Sequence, residues 1–103
     1  MTDNVNHPSH YKIAGRKECI EEIADYGQTV LSIFCLTNAY KYLYRAGLKD
    51  GNTKEQDLAK AEWYLKYYET QVQFWNIRAD AYRDYIYPLE VEVFGIYERF
   101  KNK

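Results

Sequence analysis

Asn38, Lys41, Tyr42 and Arg45 recur at helical spacing in the stretch NAYKYLYRAGLK, and Lys49 follows just beyond. On a helix the first four share one face. An amide, an aromatic ring and two or three cations on one stripe can hold a base or sugar together with a phosphate. A solvated basic face near a helix C-terminus, where Lys and Arg suit the dipole, accounts for the same residues. Spacing alone favours that plainer account.

The stretch DLAKAEWYL carries the next candidates, with Asp57 and Lys60 one turn apart and Trp63 and Tyr64 following. Asp57 at a helix start has a sufficient structural role. Set across a helix pair from Lys41 or Arg45, it would make a buried ion pair or part of a phosphate-handling site. The third group lies in NHPSHYKIAGRKECIEEI, which holds His7, His10, Tyr11 and Cys19. Counting Cys35, two histidines and two cysteines could be taken for zinc ligands, but structural zinc sites keep their cysteines paired a few residues apart, so no metal is expected. Either the histidines and Tyr11 pin an N-terminal arm to the helices, or they close over a ligand and a histidine moves a proton near neutral pH. No glycine-rich phosphate loop, dinucleotide fingerprint or nucleophile elbow is present. Phosphate chemistry would therefore rest on side-chain cations and helix ends.

These residues must be positioned by helices. Residues 1–17 read as an irregular lead-in, with Pro8 and Gly15 as breakers. From Glu18, ECIEEIADYG is a short helix whose glutamates suit its N-terminus and whose stop is Gly27. A second helix is expected from about Thr29 to Ala46, capped by Gly47. Asp50-Gly51 marks a turn, and Thr53 with Gln56 makes a capping box for a third helix. There Leu58, Ala61, Leu65, Tyr68, Val72, Trp75, Ala79, Tyr82, Ile86, Leu89, Val93, Ile96 and Phe100 alternate by three and four, a heptad-like period. Pro88 lies off that seam and should kink or split the helix near Tyr87. LEVEVFGIY also alternates like a strand, but it would have no partner strand, so helix is favoured. The fold class is all-α: two short helices packed on a long C-terminal helix. A helix of some 30 residues would extend ~45 Å, longer than so small a globule is wide. Its apolar face would then invite a second copy, and a homo-oligomer is expected.

At 103 residues the chain is one small domain, able to bury roughly 60–65% of its unfolded surface. Its 14 Lys+Arg nearly cancel 15 Asp+Glu, which argues against a nucleic-acid binder driven by bulk charge and equally against an acidic mimic of DNA. Twelve tyrosines help bring the aromatic share to 17%, a composition that suits interfaces and stacking pockets as well as a helical core. No apolar run approaches a membrane span, the N-terminus MTDNVNHPSHYK has no apolar leader, and two cysteines fit reduced thiols. A soluble intracellular protein is expected.

Taken in order, HPSHY, ECIEEI, NAYKYLYRAGLKDG and DLAKAEWYL resemble the SaV-like family of small bacteriophage proteins, over about residues 5–66. The family's domain is of unknown function and also forms part of a short-tailed coliphage nucleotide kinase that lacks a phosphate loop. The resemblance implies nucleotide binding in phage DNA metabolism, with transfer of phosphoryl groups to deoxynucleoside monophosphates as the implied activity, in the cytoplasm of a bacterial host. His7, His10, Tyr11, Glu18, Cys19, Asn38, Lys41, Tyr42, Arg45, Gly47, Lys49, Asp57, Lys60 and Trp63 fall on its motif positions. Side-chain chemistry then gives the phosphates to Lys41, Arg45 and Lys49, the base to Tyr42 or Trp63, and the proton or the acceptor to His10 or Asp57, with His7, Tyr11 and Asn38 completing the substrate site. No cofactor is expected, Mg entering only with nucleotide phosphates.

Two departures bear on this. The chain is much shorter than the coliphage enzyme, and the Tyr-rich extension 67–103 lies outside the resemblance. The division is thus residues 1–66 as the family domain and 67–103 as a helical extension of the same domain, an oligomer or partner interface. The alternative function is a phage-encoded inhibitor that binds a host protein, such as a restriction or CRISPR effector, through its Tyr-rich surface.

Overall fold

The computed structural model describes residues 15–48, 51 and 53–102. His7, His10, Tyr11 and Lys49 lie outside them. Among the described residues the fold is all-α. Helix α1 (Cys19–Ala24) begins at Glu18, whose capping box with Glu21 ties the first turn. Helix α2 (Gln28–Arg45) starts from Gly27, which serves as its N-cap at φ 121° rather than simply as the stop of α1. Gly47, at φ 81°, sits just past the C-terminus of α2, where a left-handed residue turns the chain out. Helix α3 (Lys54–Gln71) opens on the expected box: Thr53 Oγ1 accepts from the Gln56 N–H at 3.0 Å, and the Thr53 N–H donates to Gln56 Oε1 at 2.9 Å.

The apolar period from Leu58 to Phe100 is carried by two helices rather than one. Helix α3 ends at Gln71, a short 3-10 turn covers Phe74–Asn76, and helix resumes as α4 (Ala79–Ala81), a π-helical turn (Tyr82–Ile86) and α5 (Tyr87–Lys101) in one continuous run. No glycine or proline marks the break. Long-range contacts hold it: Val72 is buried in extended geometry, the Gln73 N–H donates to Gln28 Oε1 at 2.7 Å, and the Phe74 ring meets Tyr68 and Tyr82 edge-on. Trp75, a seam position by spacing, is 79% exposed instead. The proline leaves the C-terminal helix unbroken. Pro88 stands in the first turn of α5, and the preceding π-helical turn absorbs the backbone hydrogen bond that a proline cannot make.

Folding back at residues 72–78 sets the C-terminal helix antiparallel to α3. Tyr68 meets Glu90 and Phe94, Tyr97 bonds Glu62, and the Lys54 ammonium lies over the Phe100 ring. Helix α2 is antiparallel to α3 as well, joined by Gln28–Gln73 at one end and Arg45–Asp57 at the other. The result is a three-helix bundle with α1 as a short buttress.

Helix α2 is central, and two rows of its residues are buried: Leu31, Cys35, Ala39 and Tyr42 on one, Ser32, Leu36 and Leu43 on the other. The first row's small Cys35 and Ala39, with Ala61 opposite on α3, let the backbones approach closely. Ile86 and Val93, which the pattern offered to a second copy, are fully buried in the chain's own core with Leu65 and Leu36. Each such aliphatic side chain contributes about 1.5–3 kcal/mol of transfer free energy. Helices α1 to α3 therefore share one core with the C-terminal helix.

Candidate functional site

Tyr42 is the fourth and last residue of its buried row on α2, and its ring collects cations from both helices. Lys41 Nζ lies 4.5 Å from the ring centroid, Arg45 Cζ 4.8 Å and Lys60 Nζ 5.5 Å. Lys41 and Arg45 reach it because they flank Tyr42 along α2; Lys60 comes across from α3. Each contact of this kind contributes about 0.5–1 kcal/mol at an exposed site and more where water is excluded. Three like charges around one ring also repel one another, an unfavourable term that a bound anion would remove.

The negative group of the cluster is Asp57, on the first turn of α3 and 0% exposed. Its Oδ1 accepts from Arg45 Nε at 3.4 Å, and its Oδ2 is buried with no hydrogen-bond partner. A carboxylate so placed is costly to bury and acts most strongly on its nearest charge, so Asp57 fixes the Arg45 guanidinium over Tyr42. Arg45 keeps 25% of its side chain exposed and can still present N–H groups outward.

From Tyr42 an aromatic run crosses α3. Tyr42 stacks on Tyr64 with centroids 6.0 Å apart and planes 17° from parallel. Tyr64 meets Trp63 edge-on at 5.1 Å, and Trp63 stacks on Tyr67 at 5.4 Å. Burial, followed by the nearby Cys35 thiol and the α1 residues Glu21 and Glu18, raises the Tyr67 phenol above its ordinary value, so the run ends beside α1. Trp63 and Tyr67 also wall a small cavity of about 200 Å³ with Lys66, Thr70 and Gln71.

Of the residues read from sequence, the structure brings Lys41, Tyr42, Arg45 and Asp57 together and connects Trp63 to them through Tyr64. Asn38 lies one turn earlier on α2, and its amide donates to the Phe34 carbonyl at 2.8 Å, a bond internal to its own helix. Lys60 and Tyr64, named beside Asp57 in DLAKAEWYL, have no place in the substrate site expected from sequence. Their signal was present in the spacing: Lys60 and Tyr64 lie one and two turns after Asp57, on the face that Asp57 turns toward α2. Among the described residues no group of His, Cys, Asp and Glu could hold a metal ion. Cys35 is fully buried, and desolvation pushes its thiol up to about 12, while Cys19 is exposed. Among the described residues no helix is long and apolar enough to cross a membrane.

The chain matches, over residues 5–66, the family model described as a protein of unknown function (DUF3310). It belongs to that family. The DUF3310 span takes in α1, α2 and most of α3, and with them every residue of the Tyr42 cluster. The link at residues 72–78 and the C-terminal helix lie beyond it. No curated protein and no solved structure matches the chain.

Proposed function

We propose that the protein binds a nucleotide at the Tyr42 cluster. The convergence of Lys41, Arg45 and Lys60 on one ring, beside the buried carboxylate of Asp57, is the observation that carries this reading. Two mobile ammonium groups and one fixed guanidinium suit phosphate oxygens, the guanidinium by paired N–H bonds and the ammoniums as point charges. Tyr42 and Tyr64 are buried, and at the far end of the run the partly exposed Trp63 supplies a stacking surface for a base. Asp57 serves as a positioning residue, holding Arg45 in place for the phosphate.

In the fuller form of this reading the protein is of bacteriophage origin and acts in the host cytoplasm on deoxynucleoside monophosphates. The phosphoryl group passes between nucleotides held by side-chain cations, with His10 moving the proton and Mg arriving with the phosphates. Two nucleotides need more room than one cluster offers, so subunits of a homo-oligomer would share the site. The test is thermal stability against a panel of deoxynucleoside mono- and triphosphates, with Lys41→Ala beside the parent. A ligand at a hundredfold excess over its dissociation constant stabilises by about 2.7 kcal/mol. Stabilisation by one nucleotide that disappears in Lys41→Ala is the expected result. No change with any nucleotide at millimolar concentration would sink the reading.

A further inference from the structure

Where the C-terminal end of α3 faces the start of α5, an open cavity of about 440 Å³ is lined by Tyr68, Glu69, Phe74, Glu90, Val91 and Phe94. Its walls are aromatic. Phe74 stands edge-on to Tyr68 at 5.2 Å, and Phe94 is tilted against Tyr68 at 6.3 Å. Into this apolar setting projects the Glu90 carboxylate, which accepts from the Tyr68 hydroxyl at 2.6 Å and from the Tyr82 hydroxyl at 3.1 and 3.2 Å. Burial, then Glu90 itself, raises both phenols above their ordinary value, so both stay protonated and hold the carboxylate in one orientation.

Two hydroxyls supply hydrogen bonds but no charge. Among the described residues, no ion pair uses Glu90 or Glu69, and no Lys, Arg or His lines the cavity. The adjoining groove shares Glu69 and Phe94 and carries Lys66 and Lys101. Lys101 lies over the Tyr97 ring there, and Lys66 is one turn from Glu69 on α3. Glu69 therefore has a cation within its own helix face, whereas Glu90 has none among the described residues of the cavity wall. A carboxylate fixed among aromatic rings is complementary to an organic cation, which gains both the charge and the ring faces.

We propose that this cavity seats an arginine side chain of a partner protein, its guanidinium against Glu90 and its plane on Phe74 or Phe94. Arginine fits better than lysine because a planar, weakly hydrated guanidinium stacks on rings and bonds a carboxylate with two N–H groups. A protein fits better than a free cation because apolar residues of the rim are exposed: Val91 is 54% exposed and Phe74 37%. An arginine buried at the centre of an aromatic rim is a common form of interface anchor. The site is independent of the nucleotide reading, since Tyr68 lies roughly 16 Å along α3 from Asp57.

The test titrates the full chain, isotope-labelled, with the blocked peptide acetyl-Gly-Arg-Gly-amide while amide chemical shifts are followed. A second peptide carries citrulline, the neutral isostere of arginine, and spermidine serves as a free cation. Saturable shifts at Glu90, Val91 and Phe94 are expected with the arginine peptide. Citrulline should bind about tenfold more weakly or worse, as should the arginine peptide to Glu90→Gln. Because Glu90→Gln alters a group that two tyrosines bond, Val91→Lys is the second variant. It places an ammonium on the exposed rim without touching the core and should abolish binding. The proposal is overturned by the absence of saturable shifts at millimolar peptide, by equal binding of citrulline, by unchanged binding to Val91→Lys, or by spermidine binding more tightly than arginine.

Discussion

Removing Arg45 should cost far more stability than neutralising its partner. The Asp57 carboxylate is 0% exposed, one oxygen has no partner, and the other depends on Arg45 Nε at 3.4 Å. In Arg45→Ala both oxygens are left buried beside no cation in direct contact, a situation that costs about 3–5 kcal/mol. In Asp57→Asn the buried charge disappears, the shape is kept, and Arg45, already 25% exposed, turns to water; the expected cost is about 1 kcal/mol or less. The double variant should be more stable than Arg45→Ala alone, because the uncompensated charge is gone. Urea unfolding of the four proteins closes the cycle, and for a domain of this size each kcal/mol moves Tm by about 4–8 °C. Asp57→Asn as damaging as Arg45→Ala, or Arg45→Ala without cost, would refute the argument that the carboxylate is the expensive partner.

Thiol labelling of the native protein should separate the two cysteines: Cys19 modified at once, and Cys35, buried and pushed up to about 12, protected until the bundle opens; mass spectrometry after a short alkylation at neutral pH reads both. The phenols of Tyr67, Tyr68, Tyr82 and Tyr97 all lie above their ordinary value, chiefly through burial, so their contribution is fully present below about pH 10 and is lost as pH rises through and beyond it. Urea midpoints measured from pH 8 to 11 should fall steadily at the alkaline end. Thr53→Ala removes the side-chain acceptor at the start of α3 and should cost about 1 kcal/mol by the same assay. Trp75→Ala should change stability by less than about 0.5 kcal/mol, because the ring is 79% exposed; a large loss would restore Trp75 to a helical seam.

The C-terminal half shows where sequence reading stops. Ile86, Val93 and Leu65 were legible as an apolar row, since a three-four spacing records which side of a helix must leave water. The row does not say whether its partner is another chain or the same chain folded back. That depended on the reversal at residues 72–78, held by Gln28 and by the rings around Phe74, neither of which leaves a local mark such as Gly or Pro. The exposure of Trp75 follows from that reversal. Of the expected Tyr-rich surface over 67–103, Trp75, Tyr85 and Tyr87 are exposed, while Tyr68 went to the core.

What the sequence by itself determined was local: the helix start at Glu18, the capping box at Thr53, the left-handed Gly47, and the helical face that aligns Lys41, Tyr42 and Arg45. Hydrogen bonds and spacing over three or four residues are enough to specify these. Tertiary structure alone decided that Asp57 meets Arg45, that Lys60 joins Lys41 over the same ring, and that Glu90 faces an aromatic cavity. Each of those is a contact between helices. Their relative rotation and register are fixed by how the whole core packs, and no short stretch of sequence holds that information.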